Sequence, residues 1–296
     1  MRKIILLLIV ALSWVSSPLR AIDFLDPPLL SARAVVLLDA VTGEVLFAKD
    51  AHQRLPPAST TKVLTALLAL ERLNLNDKVS ISPRAADTVP SRLGLEAGEL
   101  IYVQDLLYGL MLKSGNDAAE AIAEAVAGSV ANFAKLMNAR AWHLGARDSH
   151  FANPHGLSED NHFSSAYDLA LIFRSALQNP VFAEIIRTHN AALRVESGYR
   201  FGGWRLVTVR NSNRLLRSYY GARGGKTGYT RAARSCFVGA AERGAMRLIA
   251  VVLGSPNSAS RWQDTEALFE YGFALKHGGL RFKTVETGLP KNDNPS

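Results

Sequence analysis

The stretch Val63-Leu64-Thr65-Ala66-Leu67-Leu68-Ala69-Leu70 is apolar nearly all round when wound as a helix. A helix without a polar face has no place on a surface, so this one is expected in the middle of a domain, with other elements packed about it. Pro56-Pro57 precedes the run, and the Ala and Leu that follow predict a helix beginning near Ser59. Its first residues are Ser59-Thr60-Thr61-Lys62. Residues three apart share one helical face, which makes the Ser59 hydroxyl and the Lys62 amine neighbours. A lysine buried there has a lowered pKa and can accept a proton from a hydroxyl. Taken alone, the tetrad reads more simply as a helix cap followed by a snorkelling lysine.

The 296 residues, 48% hydrophobic and 20% charged, can bury a sizeable core as one large domain or two smaller ones. Strand-like runs stand at both ends. Ala34 to Ala40 and Glu44 to Lys49 read as a hairpin about Thr42-Gly43, and Arg234 to Glu242 with Met246 to Leu253 as another about Arg243-Gly244. Trp204 to Asn211 is a further strand. In the middle, Asp105 to Lys113, Asn116 to Val130, Asn132 to Leu144 and Ala166 to Leu177 carry helical apolar spacing, and Trp262 to Lys276 is a last helix. The expected fold is α/β of the α+β kind: one antiparallel sheet made from both termini, with a mostly helical region inserted beside it.

Met1-Arg2-Lys3, the apolar Ile4 to Val15 and the small-residue end at Ala21 have the form of a secretory signal. Its apolar core is about a dozen residues, where a spanning helix needs ~20, so cleavage is expected rather than a permanent anchor. The chain then divides into a signal (1–21), a linker (22–31), the folded domain (32–282) and a disordered tail (283–296) without apolar periodicity. The formal charge of +8 falls to +5 without the three cations of the signal. That is a modest basic surface, and no Lys/Arg run with interleaved aromatics points to nucleic acid. Cys236, the only cysteine, can form no internal disulfide and sits in an apolar run, where it reads as buried packing. His150 and His155 lie near Asp148 in a loop-like stretch with no His-Glu-x-x-His helix, so they read as turn and packing residues; no metal or other cofactor is expected.

Two short segments give Ser59 and Lys62 a chemistry. Ser114-Gly115-Asn116 lies between two predicted helices, and Lys226-Thr227-Gly228 precedes the late hairpin. Each is weak alone: Ser255-Pro256-Asn257 repeats the Ser-x-Asn pattern by chance. Ser-x-x-Lys, Ser-x-Asn and Lys-Thr-Gly in that order are, however, the motif set of penicillin-binding proteins and class A β-lactamases. An acyl-transfer serine needs a base, which Lys62 supplies if burial and Lys226 keep it neutral part of the time. The Ser114 hydroxyl can relay a proton to the leaving amine. The Asn116 amide can hold the substrate's peptide backbone, and Lys226 with Thr227 suits a terminal carboxylate. Gly228 lets a substrate lie against the strand edge. Ser59 at a helix N-terminus offers its own N–H to an oxyanion.

From about Ala34 to Phe273 the chain resembles the low-molecular-mass penicillin-binding proteins that act as D-alanyl-D-alanine carboxypeptidases, the serine peptidases of type S11. The resemblance is carried by Pro57-Ala58-Ser59-Thr60-Thr61-Lys62, by Ser114-Gly115-Asn116-Asp117-Ala118 and by Gly225-Lys226-Thr227-Gly228-Tyr229-Thr230. Asn153-Pro154-His155-Gly156-Leu157, His162 and Asp168-Leu169-Ala170 add to it. It implies the β-lactamase and penicillin-binding-protein fold, with Ser59 as acylated nucleophile, Lys62 as base and Ser114 as relay. It also implies an oxyanion hole from the N–H groups of Ser59 and Tyr229, and carboxylate binding by Lys226 and Thr227, with Arg261 near the carboxylate. The implied partners are peptidoglycan stem peptides as substrates and β-lactams as covalent inhibitors, in the periplasm or outside the cytoplasm. Carboxypeptidases of the family commonly continue through a further sheet domain to an amphipathic membrane helix. Here no such domain and no membrane anchor is expected. Shorter relatives cleave D,D cross-links as endopeptidases, which is the alternative activity. A β-lactamase or a non-catalytic β-lactam sensor fits less well.

Overall fold

A computed structural model describes residues 26–198 and 202–278. The expected signal, the first part of the linker and the tail lie outside these residues. In chain order the elements are β1 (Ala34–Asp39), β2 (Val45–Lys49), a 3-10 turn (Ala58–Thr61), α1 (Lys62–Arg72), β3 (Lys78–Ser80), α2 (Pro83–Ala86), β4 (Leu100–Tyr102) and α3 (Val103–Tyr108). A π-helical turn (Gly109–Lys113), α4 (Asn116–Ala127), α5 (Val130–His143), α6 (Ala166–Ala176) and α7 (Pro180–Arg187) follow. The chain then runs through β5 (Asn190–Glu196), β6 (Trp204–Arg210), α8 (Leu215–Ser218), β7 (Ala222–Thr230), β8 (Arg234–Arg243), β9 (Met246–Ser255) and α9 (Ser258–Gly278).

The sheet from both termini is present: five antiparallel strands in the order β2-β1-β9-β8-β7. Its centre is apolar on both faces, which is why β1 is a continuous buried run and not an alternating one. Ala34, Val36 and Leu38 face the helical layer, while Val35 and Leu37 face the opposite core with Phe269 and Leu268 of α9. The mouth of the linker is tied to α9, where Asp264 accepts from Ser31 N (2.9 Å), Ser31 Oγ (2.8 Å) and Ala32 N (3.0 Å).

The all-apolar run is the central helix, as its lack of a polar face requires. Lys62 to Ala69 are buried, and α1 packs on α4, α5 and α6. Neighbouring helices start where their sequences provide caps. Ser165 accepts from Asp168 N at the head of α6, and Asn179 accepts from Val181 N before the Pro180 of α7.

Three expectations change. Trp204–Arg210 does not join the sheet from the termini; it forms the edge of a second sheet, ordered β3-β4-β5-β6, in which the short β3 and β4 and all of β5 were not foreseen. In β5 only Leu193 and Val195 are buried, a pattern too sparse to mark a strand without its partner. The helix expected over Asp105 to Lys113 divides into α3 and the π-helical turn. The 3-10 turn, not α1 itself, carries Ser59; α1 begins at Lys62.

Candidate active site

The residues of the three motifs meet at the seam between the five-stranded sheet and the helical region. The sheet contributes the outer edge of β7, and the helical region contributes the turn before α1 and the turn before α4. Ser59, Ser114, Asn116, Thr227, Gly228, Tyr229 and Arg261 line one cleft, together with Ser212 and Leu157. Two residues that are not glycine sit at left-handed φ beside it: Ala58 (+49°), just before Ser59, and Ser114 (+69°). Such backbone costs of order 1–3 kcal/mol and persists where the surroundings enforce it, a pattern common at functional sites.

Ser59 does not cap the helix, since the turn has no side-chain cap bond. Its hydroxyl instead stands 3.1 Å from Lys62 Nζ. Lys62 is completely buried. Burial first, and the Lys226 cation second, hold its amine well below the ordinary lysine range, against a smaller opposing pull from Asp117. Its two other partners are both carbonyl oxygens, Asn116 Oδ1 at 2.7 Å and His155 O at 2.7 Å. A neutral amine has two N–H donors and one lone pair. Neither carbonyl can donate, so in the neutral form of Lys62 they take its two N–H groups and its lone pair turns to the Ser59 hydroxyl.

Asn116 is fixed at both ends. One amide N–H donates to Val89 O at 2.7 Å, and the backbone N–H of Asn116 donates to Ser91 O at 2.7 Å. With Oδ1 turned onto Lys62, a single side-chain N–H is left to reach a substrate backbone. Asp117, beside it and fully buried, accepts from the N–H groups of Leu93 (2.8 Å), Gly94 (3.0 Å) and Leu95 (3.2 Å). That carboxylate pins the loop whose Pro90 and Ser91 form one wall of the cleft. Ser114 comes to the same cleft, but no hydrogen bond joins its hydroxyl to Ser59 or Lys62.

Lys226 lies beneath the cleft, 1% exposed, donating to Thr227 O at 3.0 Å. Burial, and then the Arg261 cation, push its amine down to about 7. The Thr227 hydroxyl shares a 2.7 Å hydrogen bond with Ser212 Oγ. Arg261, in the first turn of α9, is not an exposed helix-end cation. It is buried, stacks on Trp262 at 4.2 Å and points its Nη1 toward Gly228 O and Cys236 O at 3.5 and 3.4 Å, with Nε lacking a partner. Gly228 has a role beyond an open strand edge: a Cβ there would stand 3.1 Å from Ser59 N, so the missing side chain lets the turn of the serine close on β7.

The turn Asn153–Leu157 completes the floor. Asn153 Oδ1 accepts from Gly156 N (2.7 Å), Thr65 Oγ1 donates to Pro154 O (2.6 Å), and His155 O receives Lys62. His155 is buried with Nε2 at 3.1 Å from Glu120 Oε1. His162 accepts at Nδ1 from Ala152 N (3.1 Å), so its Nε2 carries the proton toward Thr61 Oγ1 (2.9 Å), and burial drops its pKa to about 3. His150 bonds Asn161 O, and Asp148 pairs with His52 and Arg54. His155 also supplies a backbone atom to the site. Ser212, Asp117, Glu120 and the His155 carbonyl were not foreseen. The only trace of Ser212 in the sequence is its place between Asn211 and Asn213 at the end of a strand, and Glu120 shows only as one charge in an Ala-rich helix.

The sequence and fold have well-defined relatives. The family described as D-alanyl-D-alanine carboxypeptidase (peptidase S11) matches residues 24–257. D-alanyl-D-alanine carboxypeptidase DacB2 of Mycobacterium tuberculosis is 41% identical over 249 residues, 82% of this chain and 83% of its own. DacF of Bacillus subtilis, a D-alanyl-D-alanine carboxypeptidase, is 38% identical over 261 residues; these are 86% of this chain and 66% of the longer DacF. The crystal structure of the Streptomyces K15 DD-transpeptidase superposes with a TM-score of 0.81 at 36% identity, covering 85% of this chain and all of that one.

Proposed function

The chain belongs to the serine D-alanyl-D-alanine carboxypeptidase family, peptidase S11, and we propose that it removes the terminal D-alanine from peptidoglycan pentapeptides through an acyl-enzyme on Ser59. The observation that carries the reading is the placement of Lys62: a buried amine of lowered pKa, 3.1 Å from Ser59 Oγ and also bonded to two carbonyls, so that its neutral form turns the lone pair to the serine hydroxyl.

In this reading the terminal carboxylate binds at Thr227 and Ser212, over Lys226 and near Arg261. The scissile carbonyl oxygen points at the N–H groups of Ser59 and Tyr229. Ser59 Oγ attacks the carbonyl carbon as its proton passes to Lys62. The C–N bond then breaks, and the departing D-alanine amine takes that proton from Lys62 through the Ser114 hydroxyl. Water, deprotonated by Lys62, attacks the ester; Lys62 returns that proton to Ser59 Oγ as the acyl C–O bond breaks, and the shortened peptide leaves as a carboxylic acid that gives its own proton to solvent. The one free side-chain N–H of Asn116 and the edge of β7 hold the peptide backbone.

Members of this family act outside the cytoplasm on peptidoglycan peptides and bind β-lactams. We therefore also place this protein beyond the inner membrane, with 1–21 as its export signal. A fluorescent penicillin should form one covalent adduct, located on Ser59 by peptide mapping and lost in Ser59→Ala. An adduct on another residue ends the proposal. Lys62→Ala should slow acylation by about 10²–10⁴-fold, the usual weight of a general base. Release of D-alanine from a monomeric pentapeptide, run beside cleavage of cross-linked muropeptides, separates the carboxypeptidase from an endopeptidase.

A further inference from the structure

Of the two carbonyls that orient Lys62, one belongs to a motif side chain and the other is the backbone of His155. The direction of that backbone oxygen depends on how the His155 residue is held. We infer that Glu120 is a positioning residue for the base, gripping the His155 imidazole so that the His155 carbonyl stays on Lys62 Nζ. The inference rests on the acyl-enzyme reading above.

Glu120 lies on α4, one helical turn after Asn116 and on the same face, 5% exposed. Its Oε1 is 3.1 Å from His155 Nε2, and its Oε2 is 3.2 Å from Arg84 Nε, whose side chain is mostly exposed. The tautomer follows from the other ring nitrogen. Leu157 N donates to His155 Nδ1 at 3.2 Å, so Nδ1 accepts and Nε2 carries the proton given to Glu120. Burial keeps the imidazole pKa below its usual value, in keeping with a neutral ring. The ring is thus clamped between its own turn and α4, and the peptide plane that follows it is fixed. Both acceptors of Lys62 are referred to one helix, directly by Asn116 and through the imidazole by Glu120. Asn116 sits in a motif; Glu120 sits in none.

A structural ion pair and a positioning residue differ in what they move. Glu120→Met keeps most of the volume and removes the acceptor, and Glu120→Gln keeps an acceptor. Acylation by fluorescent penicillin and D-alanine release are measured for both, with melting temperature and ¹⁵N histidine spectra. The expected result is a fall of about tenfold or more in acylation rate and kcat for Glu120→Met, with KM within about twofold. The Nε2–H signal of His155 shifts with it, and Glu120→Gln stays within about threefold of wild type. Arg84→Ala, on the exposed side of the same carboxylate, should move kcat in the same direction by less, and it carries the test if Glu120→Met does not fold. Wild-type kcat in Glu120→Met, or in Arg84→Ala when only that variant folds, overturns the assignment. So does equal loss in the Gln and Met variants, which would make charge rather than the hydrogen bond decisive. The penicillin adduct on wild-type Ser59 is independent of these ratios, so failure of the acyl-enzyme reading shows itself separately.

Discussion

Gly156→Ala is expected to damage the site without touching a motif residue. Gly156 sits at φ +87°, and a Cβ built there would stand 1.9 Å from Ala58 O and 2.9 Å from Thr61 Oγ1. Real Cβ atoms essentially never come within 3.0 Å of another heavy atom, so the Asn153–Leu157 turn and the Ser59 turn must part by about 1 Å. Two costs add. An alanine at left-handed φ costs roughly 1–2 kcal/mol, and forcing an extra carbon into a closed contact costs typically about 1–3 kcal/mol. The variant should lose on the order of 2–5 kcal/mol of stability. Its kinetic loss should be larger than stability alone implies, because the parting pulls the His155 carbonyl from Lys62 and moves Ser59 from β7. Displacements near 1 Å can cost about 10²-fold in rate. The assay is penicillin acylation at a temperature where the variant is folded, with unfolding followed by denaturant. Gly244→Ala is the control: it also has positive φ (+58°) but nothing within 4 Å of the added carbon, so it should lose only the backbone part and no activity. Wild-type acylation in Gly156→Ala, or loss no greater than in Gly244→Ala, would refute the claim that this contact sets the serine.

Two further expectations concern the carboxylate end. Lys226 is neutral in the native state above about 7 but stays protonated when unfolded up to its ordinary value of 10.5, so the unfolded chain binds more protons and stability rises with pH across that window. Lys226→Met should flatten that rise and be more stable near pH 7, while binding carboxylate-bearing substrates far more weakly; equal slopes of stability against pH would contradict the burial argument. Ser212→Ala removes the partner of the Thr227 hydroxyl and should raise KM by roughly 2- to 10-fold, the worth of one net hydrogen bond, with little change in kcat; an unchanged KM would mean that the pair holds no substrate.

Residues that act through their own side chains in short order were legible before any fold was known. Ser59 and Lys62 are three apart at the head of an unmistakable core helix, and Lys226-Thr227 lies in a strand; each segment is weak alone, and only the three motifs in order suggested a chemistry. Gly228 was read as leaving the strand edge open, and the structure adds that it is small because the turn of Ser59 lies against it; Tyr229 entered by the family resemblance. The His155 carbonyl was invisible because every residue has a carbonyl, and only the folded turn says where one points. Asp117 and Glu120 look like ordinary helix charges until tertiary packing buries them beside loop amides and an imidazole. The second sheet escaped for a related reason: β3 and β4 span three residues each, and their pairing with β5 depends on segments distant in sequence.

The neighbours of β1 have a consequence for when the enzyme can exist. Along its length β1 hydrogen-bonds to β9, with Ala34 opposite Leu253, so one of the first strands made waits for the last before its second edge is covered. Contacts so distant in sequence close slowly. Ser59 and Lys62 leave the ribosome early, but β7, which bears Lys226 and Thr227, enters the sheet only through β8 and β9. A partly synthesised chain therefore holds Ser59 and Lys62 with no assembled cleft, which forms only when β1 and β9 meet.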